Sequence, residues 1–295
     1  MPLNEQIDHT MRDTRKPKSH FDNYLKSRHA RDFEKDHVAE YVKTFEKLQK
    51  IKSGVIEEFY LAPLDKLRIH YVESFLENIA YAYSRGDGLD TIKEKYIDEA
   101  LDRYVILFGE LEKHADLINA ATTPAPYPKT MANPPEVHAM YLLLSWLVCF
   151  GADEQKIRRI APQLCEPGHD RLADTVLNRY QGNRVIAEAH ALPDTYRLIQ
   201  ESIDAPEEKT IDNLQHYLDT WGQRMGSLTR VKVWGHSGCC WGATSNESLY
   251  ANTKGNYCGF WAWEVALVVR FFNIDDSTFE HHPLYPTDLA RYRAC

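Results

Sequence analysis

Residues 257–272 read Tyr257-Cys-Gly-Phe-Trp-Ala-Trp-Glu-Val-Ala-Leu-Val-Val-Arg-Phe-Phe272, the most apolar and aromatic run in the chain. With 16 residues and two charged groups, the run is too short and too polar to span a bilayer. It is too long for an ordinary buried strand, and its Ala, Leu and Val residues favour a helix that is apolar nearly all round. Such a helix must be packed on every side. We therefore predict an all-α protein built around it.

The only acid in this run is Glu264. A carboxylate inside an apolar helix must be hydrogen-bonded, ion-paired or kept neutral, because an unpaired buried charge costs several kcal/mol. One interpretation is a general acid with a raised pKa. The interpretation we favour is a structural carboxylate that links the helix to a neighbouring backbone or to a residue such as Arg270. No second acid or histidine at helical spacing supports catalysis.

Upstream, apolar residues recur at helical spacing in three long segments that short connections separate. The first 31 residues are polar and are expected to form a loose arm. The predicted helices are residues 32–52, a segment that ends at Arg85-Gly-Asp-Gly88, and residues 89–114. Three antiparallel helices with short connections predict a helical bundle.

A proline-rich stretch at residues 122–135, five of whose fourteen residues are proline, is the clearest boundary in the chain. It predicts an N-terminal helical domain over residues 1–121 and a larger, all-helical C-terminal domain over residues 136–295. The helices expected in the second domain are 136–150, 153–164 with Asp153 as N-cap, 170–180, 193–203 and 207–221. The glycine-rich residues 222–256 are expected to form an irregular loop.

The 295-residue chain is 43% hydrophobic and 26% charged, which is typical of a globular protein. Its net charge of −8 is uneven, because residues 1–52 hold 12 Lys and Arg against 9 Asp and Glu. The acidic remainder argues against direct binding of nucleic acid and permits a basic protein partner. We see no secretory signal and no membrane span, and the six cysteines do not resemble a disulfide framework. We expect a cytoplasmic protein with reduced thiols.

Residues 235–242, Gly-His-Ser-Gly-Cys-Cys-Trp-Gly, most resemble an active site. They depart from the nucleophile elbow at Cys239, and a papain-like Cys240 lacks room for its distant histidine. A zinc site would use the ligand set His236, Cys239, Cys240 and Cys258, with His281 or His282. That spacing matches no recognised zinc motif. A metal- or thiol-dependent hydrolase is therefore kept as the alternative, and we expect no cofactor and no metal.

Two groups of acids form the candidate partner-binding surface. The first surrounds Pro206 and comprises Glu201, Asp204, Glu207, Glu208 and Asp212. The second comprises Asp275, Asp276 and Glu280. Each is explained equally well as a solvated helix end or as a face that meets a basic partner.

Several motifs together resemble one family. In the C-terminal part they are Tyr257-x-Gly-Phe-Trp-Ala-Trp-Glu264, Ile274-Asp-Asp-Ser-Thr278, Tyr285-Pro-x-Asp-Leu289, Met140-Tyr-Leu-Leu-Leu-Ser-Trp146, Phe150-Gly-Ala-Asp153 and Asp170-Arg-Leu-Ala-Asp174. Tyr83-Ser-Arg-Gly-Asp87 and the long helix after it are similar to the N-terminal domain of the same family. The chain thus resembles the PoNi-type immunity proteins over residues 30–290.

The resemblance implies an all-α protein that protects a bacterium from a polymorphic toxin, typically a PoNe-type DNase delivered by a secretion system such as type VI. It implies inhibition by direct binding to the cognate nuclease toxin, with no enzymatic activity. It also gives Trp261, Glu264, Tyr285 and Asp288 a structural role. A helical scaffold that binds another protein remains an alternative, and the oligomeric state stays open, a homodimer included.

Overall fold

The computed structural model describes residues 11–26, 78–113, 134–230 and 258–294, together with Lys43, Glu46 and Lys50. In these ranges the regular structure is helical, as predicted. The helices are α1 (Lys18–Leu25), α2 (the described part, 78–85), α3 (Leu89–Ile92), α4 (Glu99–Lys113), α5 (Pro134–Cys149), α6 (Glu154–Leu164), α7 (Arg171–Gln181), α8 (Pro193–Asp204), α9 (Glu207–Arg230), α10 (Trp263–Phe272) and α11 (Thr287–Arg291).

Helix α10 lies at the centre of the C-terminal half. Every residue from Trp263 to Val269 is buried, and the helix packs mainly against α5, with α8 and α11 as further neighbours. Trp146 of α5 meets Trp263 edge to face, with 5.4 Å between ring centroids. A helix that is apolar all round requires such surroundings, so the prediction of a buried core helix is confirmed.

Helix α10 is shorter than the apolar run predicted. Residues 258–262 are not helical, and Gly259 has a φ of 105°, a conformation that side chains with a Cβ rarely adopt. A Cβ on Gly259 would also collide with the hydroxyl of Ser84. The chain therefore approaches α2 closely at Gly259 in a non-helical conformation, and α10 begins only at Trp263.

The helices between α5 and α9 follow the sequence closely. Asp153 is the N-cap of α6, and its side chain accepts hydrogen bonds from the backbone N–H groups of Gln155 and Lys156. Asp170 caps α7 in the same way by accepting from Ala173 N–H. Helix α5 begins at Pro134, so the last two residues of the predicted linker belong to a helix. Proline is tolerated there because the first turn needs no N–H donor.

Helix α9 is longer than predicted, because the expected loop at residues 222–230 is helical as far as Arg230. Its buried stripe consists of Leu214, Tyr217, Leu218, Trp221 and Met225, at helical spacing. The burial of this stripe outweighs the cost of about 1 kcal/mol that each of the glycines 222 and 226 carries in a helix. Residues 231–257 lie outside the described residues.

The predicted N-terminal bundle lies largely outside the described residues. The third predicted helix is present over residues 89–113, where a π-helical turn, Lys93–Asp98, joins α3 to α4. Residues at the end of α2 contact the C-terminal half directly: the Ser84 hydroxyl donates to the carbonyl of Cys258 over 2.6 Å. The boundaries at residues 121 and 136 stay a prediction.

In the part of the chain that the structure describes, none of the helices combines the length and apolarity needed to cross a membrane.

Candidate functional site

The carboxylate of Glu264 lies inside the protein, 1% exposed, and joins α10 to α9. Its Oε1 accepts hydrogen bonds from the Tyr217 hydroxyl over 2.6 Å and from the Trp221 indole N–H over 2.8 Å. Its Oε2 has no hydrogen-bond partner among the described residues. The side chain thus helps to fix the rotation of α9 relative to the core helix. Its partners are Tyr217 and Trp221, not the Arg270 that the sequence suggested.

Burial raises the pKa of Glu264 above its ordinary value, and the hydrogen bonds from Tyr217 and Trp221 oppose the rise only in part. The folded-state pKa therefore exceeds the unfolded-state pKa, and the unfolded chain releases this proton first as the pH rises. The contribution of the group to stability is fully present below the unfolded-state pKa and is lost as the pH rises through the folded-state pKa.

We expect Glu264→Ala to be less stable than Glu264→Gln by roughly 2–4 kcal/mol, because alanine leaves the Tyr217 and Trp221 donors buried without an acceptor. Glutamine keeps the acceptor and removes the titration. The stability of the glutamine variant relative to that of the wild type should therefore increase as the pH rises above the unfolded-state pKa of a glutamate, about 4.3. Urea unfolding at several pH values measures both effects. A stable Glu264→Ala protein that fails to bind its partner would overturn the structural role.

The other residues given a structural role lie where α10 and α11 meet the N-terminal segments. The Trp261 indole N–H donates to the Ser84 hydroxyl over 2.9 Å. Asp288 is exposed and accepts hydrogen bonds from Arg12 and from the Tyr83 hydroxyl. The Tyr285 hydroxyl donates to Asp276 over 2.8 Å. The contacts of Trp261 and Asp288 join segments far apart in sequence, whereas the contact between Tyr285 and Asp276 is local.

The first acidic cluster lies at the junction of α8 and α9. Asp204 ends α8 and pairs with Arg171 at 2.5 Å, whereas Glu201 lies 3.6 Å from Arg197 one turn away. Glu207 and Glu208 occupy the exposed first turn of α9, where negative charge stabilises a helix N-terminus. The two carboxylates on α8 are therefore paired with arginines, whereas Glu207 and Glu208 on α9 form no ion pair with any residue that the structure describes.

An acidic stripe runs along the outer side of α9. Glu208, Asp212 and Asp219 are exposed at positions i, i+4 and i+11, which places them on one face of the helix. We call these three residues, together with Glu207 in the first turn, about 100° away around the helix axis, the acidic face of α9. Lys209 is an exposed cation beside it. The side that points inward carries Tyr217 and Trp221, so Glu264 determines which side of α9 faces outward.

The second acidic cluster separates into exposed and internal members. Asp275 is exposed, and its carboxylate accepts from Ser277 N–H, which lowers its pKa. Asp276 is 6% exposed, and Tyr285 and Arg291 donate to its two oxygens. Asp276 therefore lies within the fold as a hydrogen-bond acceptor, and we leave it out of the contact surface proposed below.

Glu280 is half-buried and pairs with Arg291, so its charge is compensated locally. The segment that follows it approaches α9, because His282 Nε2 lies 3.6 Å from Asp219 Oδ1. Asp219 is 12 residues beyond Glu207, about 18 Å along the helix axis at 1.5 Å per residue. The acidic face of α9 thus extends from the first cluster to the loop that carries the second.

A buried ion pair that the sequence analysis did not identify organises the loop between α7 and α8. Asp174 and Arg184 have fully buried side chains, with 2.6 Å between Oδ1 and Nε. The second oxygen of Asp174 accepts from the backbone N–H groups of Gly168 and Ala187, each over 3.0 Å. The motif Asp170-Arg-Leu-Ala-Asp174 includes the carboxylate of this ion pair, but no local sequence pattern indicates Arg184 as its partner.

The loop of the hydrolase and zinc alternatives, residues 235–242, lies outside the described residues. Of the suggested ligands, Cys258 is buried and His281 is exposed. Among the residues that the structure describes, no group of three or more His, Cys, Asp and Glu side chains is placed to hold a metal ion.

A buried hydrogen-bonded core with charge displayed along one helix suits a protein that acts by binding. The comparison with known families agrees: residues 168–289, less than half of the chain, match the family described as PoNe immunity proteins (PoNi), C-terminal. The match confirms the predicted resemblance over this part of the chain. The family implies a toxin-neutralising role and a non-enzymatic inhibitor that binds its cognate PoNe toxin.

The fold is also similar to that of a solved structure, the crystal structure of protein PA2201 from Pseudomonas aeruginosa. The TM-score is 0.60, with 16% sequence identity, over 97% of this chain and 91% of that chain. At this identity the likeness establishes the fold alone. No curated protein sequence matches the chain.

Proposed function

We propose that the chain neutralises a PoNe-type nuclease by binding it directly and covering its basic DNA-binding cleft. The observation that carries the proposal is the acidic face of α9, since four exposed carboxylates lie along one helix and three of them share a face. A nuclease holds the DNA backbone with Lys and Arg, so a fixed row of carboxylates can occupy the same positions. Opposite charges also accelerate the encounter.

The contact surface we propose consists of the acidic face of α9 with Asp204 and Asp275 at its two ends. Glu280 lies beside it, half-buried and paired with Arg291. We place the protein in the cytoplasm, where the toxin would reach DNA, and we propose a secretion system such as type VI as the route of toxin delivery. The acidic balance after residue 52 gives no support for direct nucleic-acid binding.

The proposal predicts that co-expression of the chain rescues the growth of bacteria that produce the cognate toxin. The purified proteins should elute together from a sizing column, because inhibition requires a stable complex. A chain truncated after residue 230 lacks the core helix α10 and provides the negative control. A toxin that kills despite full-length co-expression, and that forms no complex, would contradict the proposed function.

A further inference from the structure

A cleft of about 580 Å³ lies where the start of α7, the loop before α8 and the junction of α8 with α9 come together. Its volume lies within the range of ordinary ligand pockets, so it has room for a whole side chain of a partner. Pro193 at the start of α8 and Pro206 at the junction form part of its wall. Because Pro206 directly precedes Glu207, the cleft adjoins the first turn of the acidic face of α9.

The charged side chains around the cleft carry a net positive charge. Three cations line it, Arg171, Arg197 and Lys209, against two carboxylates, Glu201 and Asp204. Both carboxylates are paired with the arginines, Asp204 with Arg171 and Glu201 with Arg197. Lys209 forms no ion pair with any residue that the structure describes. The excess positive charge of the cleft is therefore that of Lys209.

The cleft also contains a histidine, which adds no charge at neutral pH. His190 lines the wall, and burial lowers its pKa to about 4, a shift that the nearby carboxylate of Asp170 opposes only in part. The imidazole is therefore uncharged at pH 7. The charge balance of the cleft at that pH is set by its arginines, its lysine and its two carboxylates.

Lys209 lies in otherwise acidic surroundings on α9. Glu207, Glu208 and Asp212 are exposed within one turn of it on the same helix. The ammonium group nevertheless forms no ion pair with any of these three, and its side chain lines the cleft. The position of this cation thus makes the cleft a place where a negative group would be favoured.

We propose that the cleft receives the carboxylate of an aspartate or glutamate of the bound toxin, which pairs with Lys209. This inference rests on the proposed function. A carboxylate neutralises the excess charge of the cleft and accepts hydrogen bonds from an ammonium group. An arginine of the toxin would fit less well, because Glu201 and Asp204 are already paired with arginines. One guanidinium would only replace another there, and Lys209 would repel the newcomer.

A carboxylate of a protein suits the cleft better than a phosphate does. A phosphate group carries about −1.5 to −2 charges at pH 7, more than the single excess charge of the cleft. The neighbouring Glu207 and Glu208 repel a dianion more strongly than a monoanion. Val185 and Ile186, 65% and 39% exposed, belong to the loop that continues to Ala189 in the cleft wall. Apolar side chains exposed next to a charged surface favour a protein partner over a small anion.

The arrangement gives Lys209 a role in the choice of partner. A row of carboxylates alone attracts any basic surface, including those of other DNA-binding proteins in the same cell. A cation at the end of the row requires an acid at the matching position of the partner and repels a basic residue there. Lys209 thus determines in which register the toxin lies along α9 and excludes surfaces that are basic throughout.

The test is the replacement Lys209→Met, because the two possible effects of the lysine on binding have opposite signs. If Lys209 pairs with a toxin carboxylate, the variant should bind the cognate toxin about 5- to 10-fold more weakly than the wild type. If the lysine only opposes the attraction of a basic toxin, its removal should strengthen the complex. The side chain is exposed, so the fold should tolerate the change, which urea unfolding checks.

Two control variants accompany this measurement. Lys209→Arg keeps the positive charge and should retain most of the affinity for the toxin. Lys95→Met makes the same change in net charge at an exposed position outside the cleft and should leave the affinity unchanged. A loss confined to Lys209→Met therefore assigns the effect to the cleft and not to the overall charge of the protein.

Unchanged or tighter toxin binding by a folded Lys209→Met protein would overturn the inference. So would binding of inorganic phosphate that requires Lys209 and does not compete with the toxin, because the cleft would then hold an anion from solution. These results differ from a failure of the proposed function, in which the wild type forms no complex. If lysine substitutions at Glu208 and Asp212 weaken the complex and Lys209→Met does not, only the role of the cleft fails.

Discussion

Replacing Asp174 by alanine is expected to lower the free energy of unfolding by about 3–5 kcal/mol. The change leaves the guanidinium of Arg184 buried without its carboxylate, and removal of one partner of a buried pair is more harmful than removal of both. It also removes the acceptor of two backbone N–H groups, those of Gly168 and Ala187. Urea unfolding followed by circular dichroism measures the change.

The control for this prediction is the double variant Asp174→Leu with Arg184→Met, which removes both charges. It should be more stable than Asp174→Ala, although it still lacks the two backbone hydrogen bonds. A double-mutant cycle with the matching single variants separates the coupling of the pair from those bonds. A loss below about 1 kcal/mol for Asp174→Ala would show that the pair contributes little.

The second large effect is expected on toxin binding. Reversing two charges of the acidic face, Glu208→Lys with Asp212→Lys, should weaken the complex by roughly 10- to 100-fold at low salt. Both carboxylates are exposed, so the fold should tolerate the change. Because screening shortens the range of charge interactions, the difference from the wild type should shrink as the salt concentration rises. Titration of labelled toxin at several salt concentrations measures both.

A matched control makes the same change in net charge at two other exposed acids, Glu94→Lys with Glu154→Lys. The control should bind the toxin within about twofold of the wild type. If both double variants lose affinity equally, overall charge rather than the acidic face of α9 determines binding. If both double variants bind the toxin as tightly as the wild type does, α9 is not part of the interface.

Much of the fold follows from local sequence. The side chain of Asp153 identifies the start of α6, and the apolar run around Glu264 identifies a buried helix without further information. The full length of α9 could not be predicted from local sequence. Glycines 222 and 226 suggest that the helix ends there, but the burial of Trp221 and Met225 continues it. Local propensity is weaker than the packing of an apolar stripe.

The arrangement of the acids was harder to predict because it depends on contacts between distant residues. Asp275 and Asp276 are adjacent in sequence, yet Tyr285 and Arg291 hold only Asp276 inside the fold. The partners of Glu264 are contributed by α9, 43 and 47 residues earlier in the chain. The cleft beside Pro206 likewise exists only once α7, α8 and α9 are assembled.

If the chain occupies the DNA-binding cleft of its toxin, as we propose, it must compete with DNA for the toxin. A catalytically inactive toxin bound to a fluorescent DNA duplex would be titrated with the immunity protein. We expect the DNA to be released with one equivalent of wild-type protein, whereas the Glu208→Lys, Asp212→Lys variant should need roughly 10- to 100-fold more. A ternary complex that retains the DNA while the wild-type protein is bound would contradict the claim.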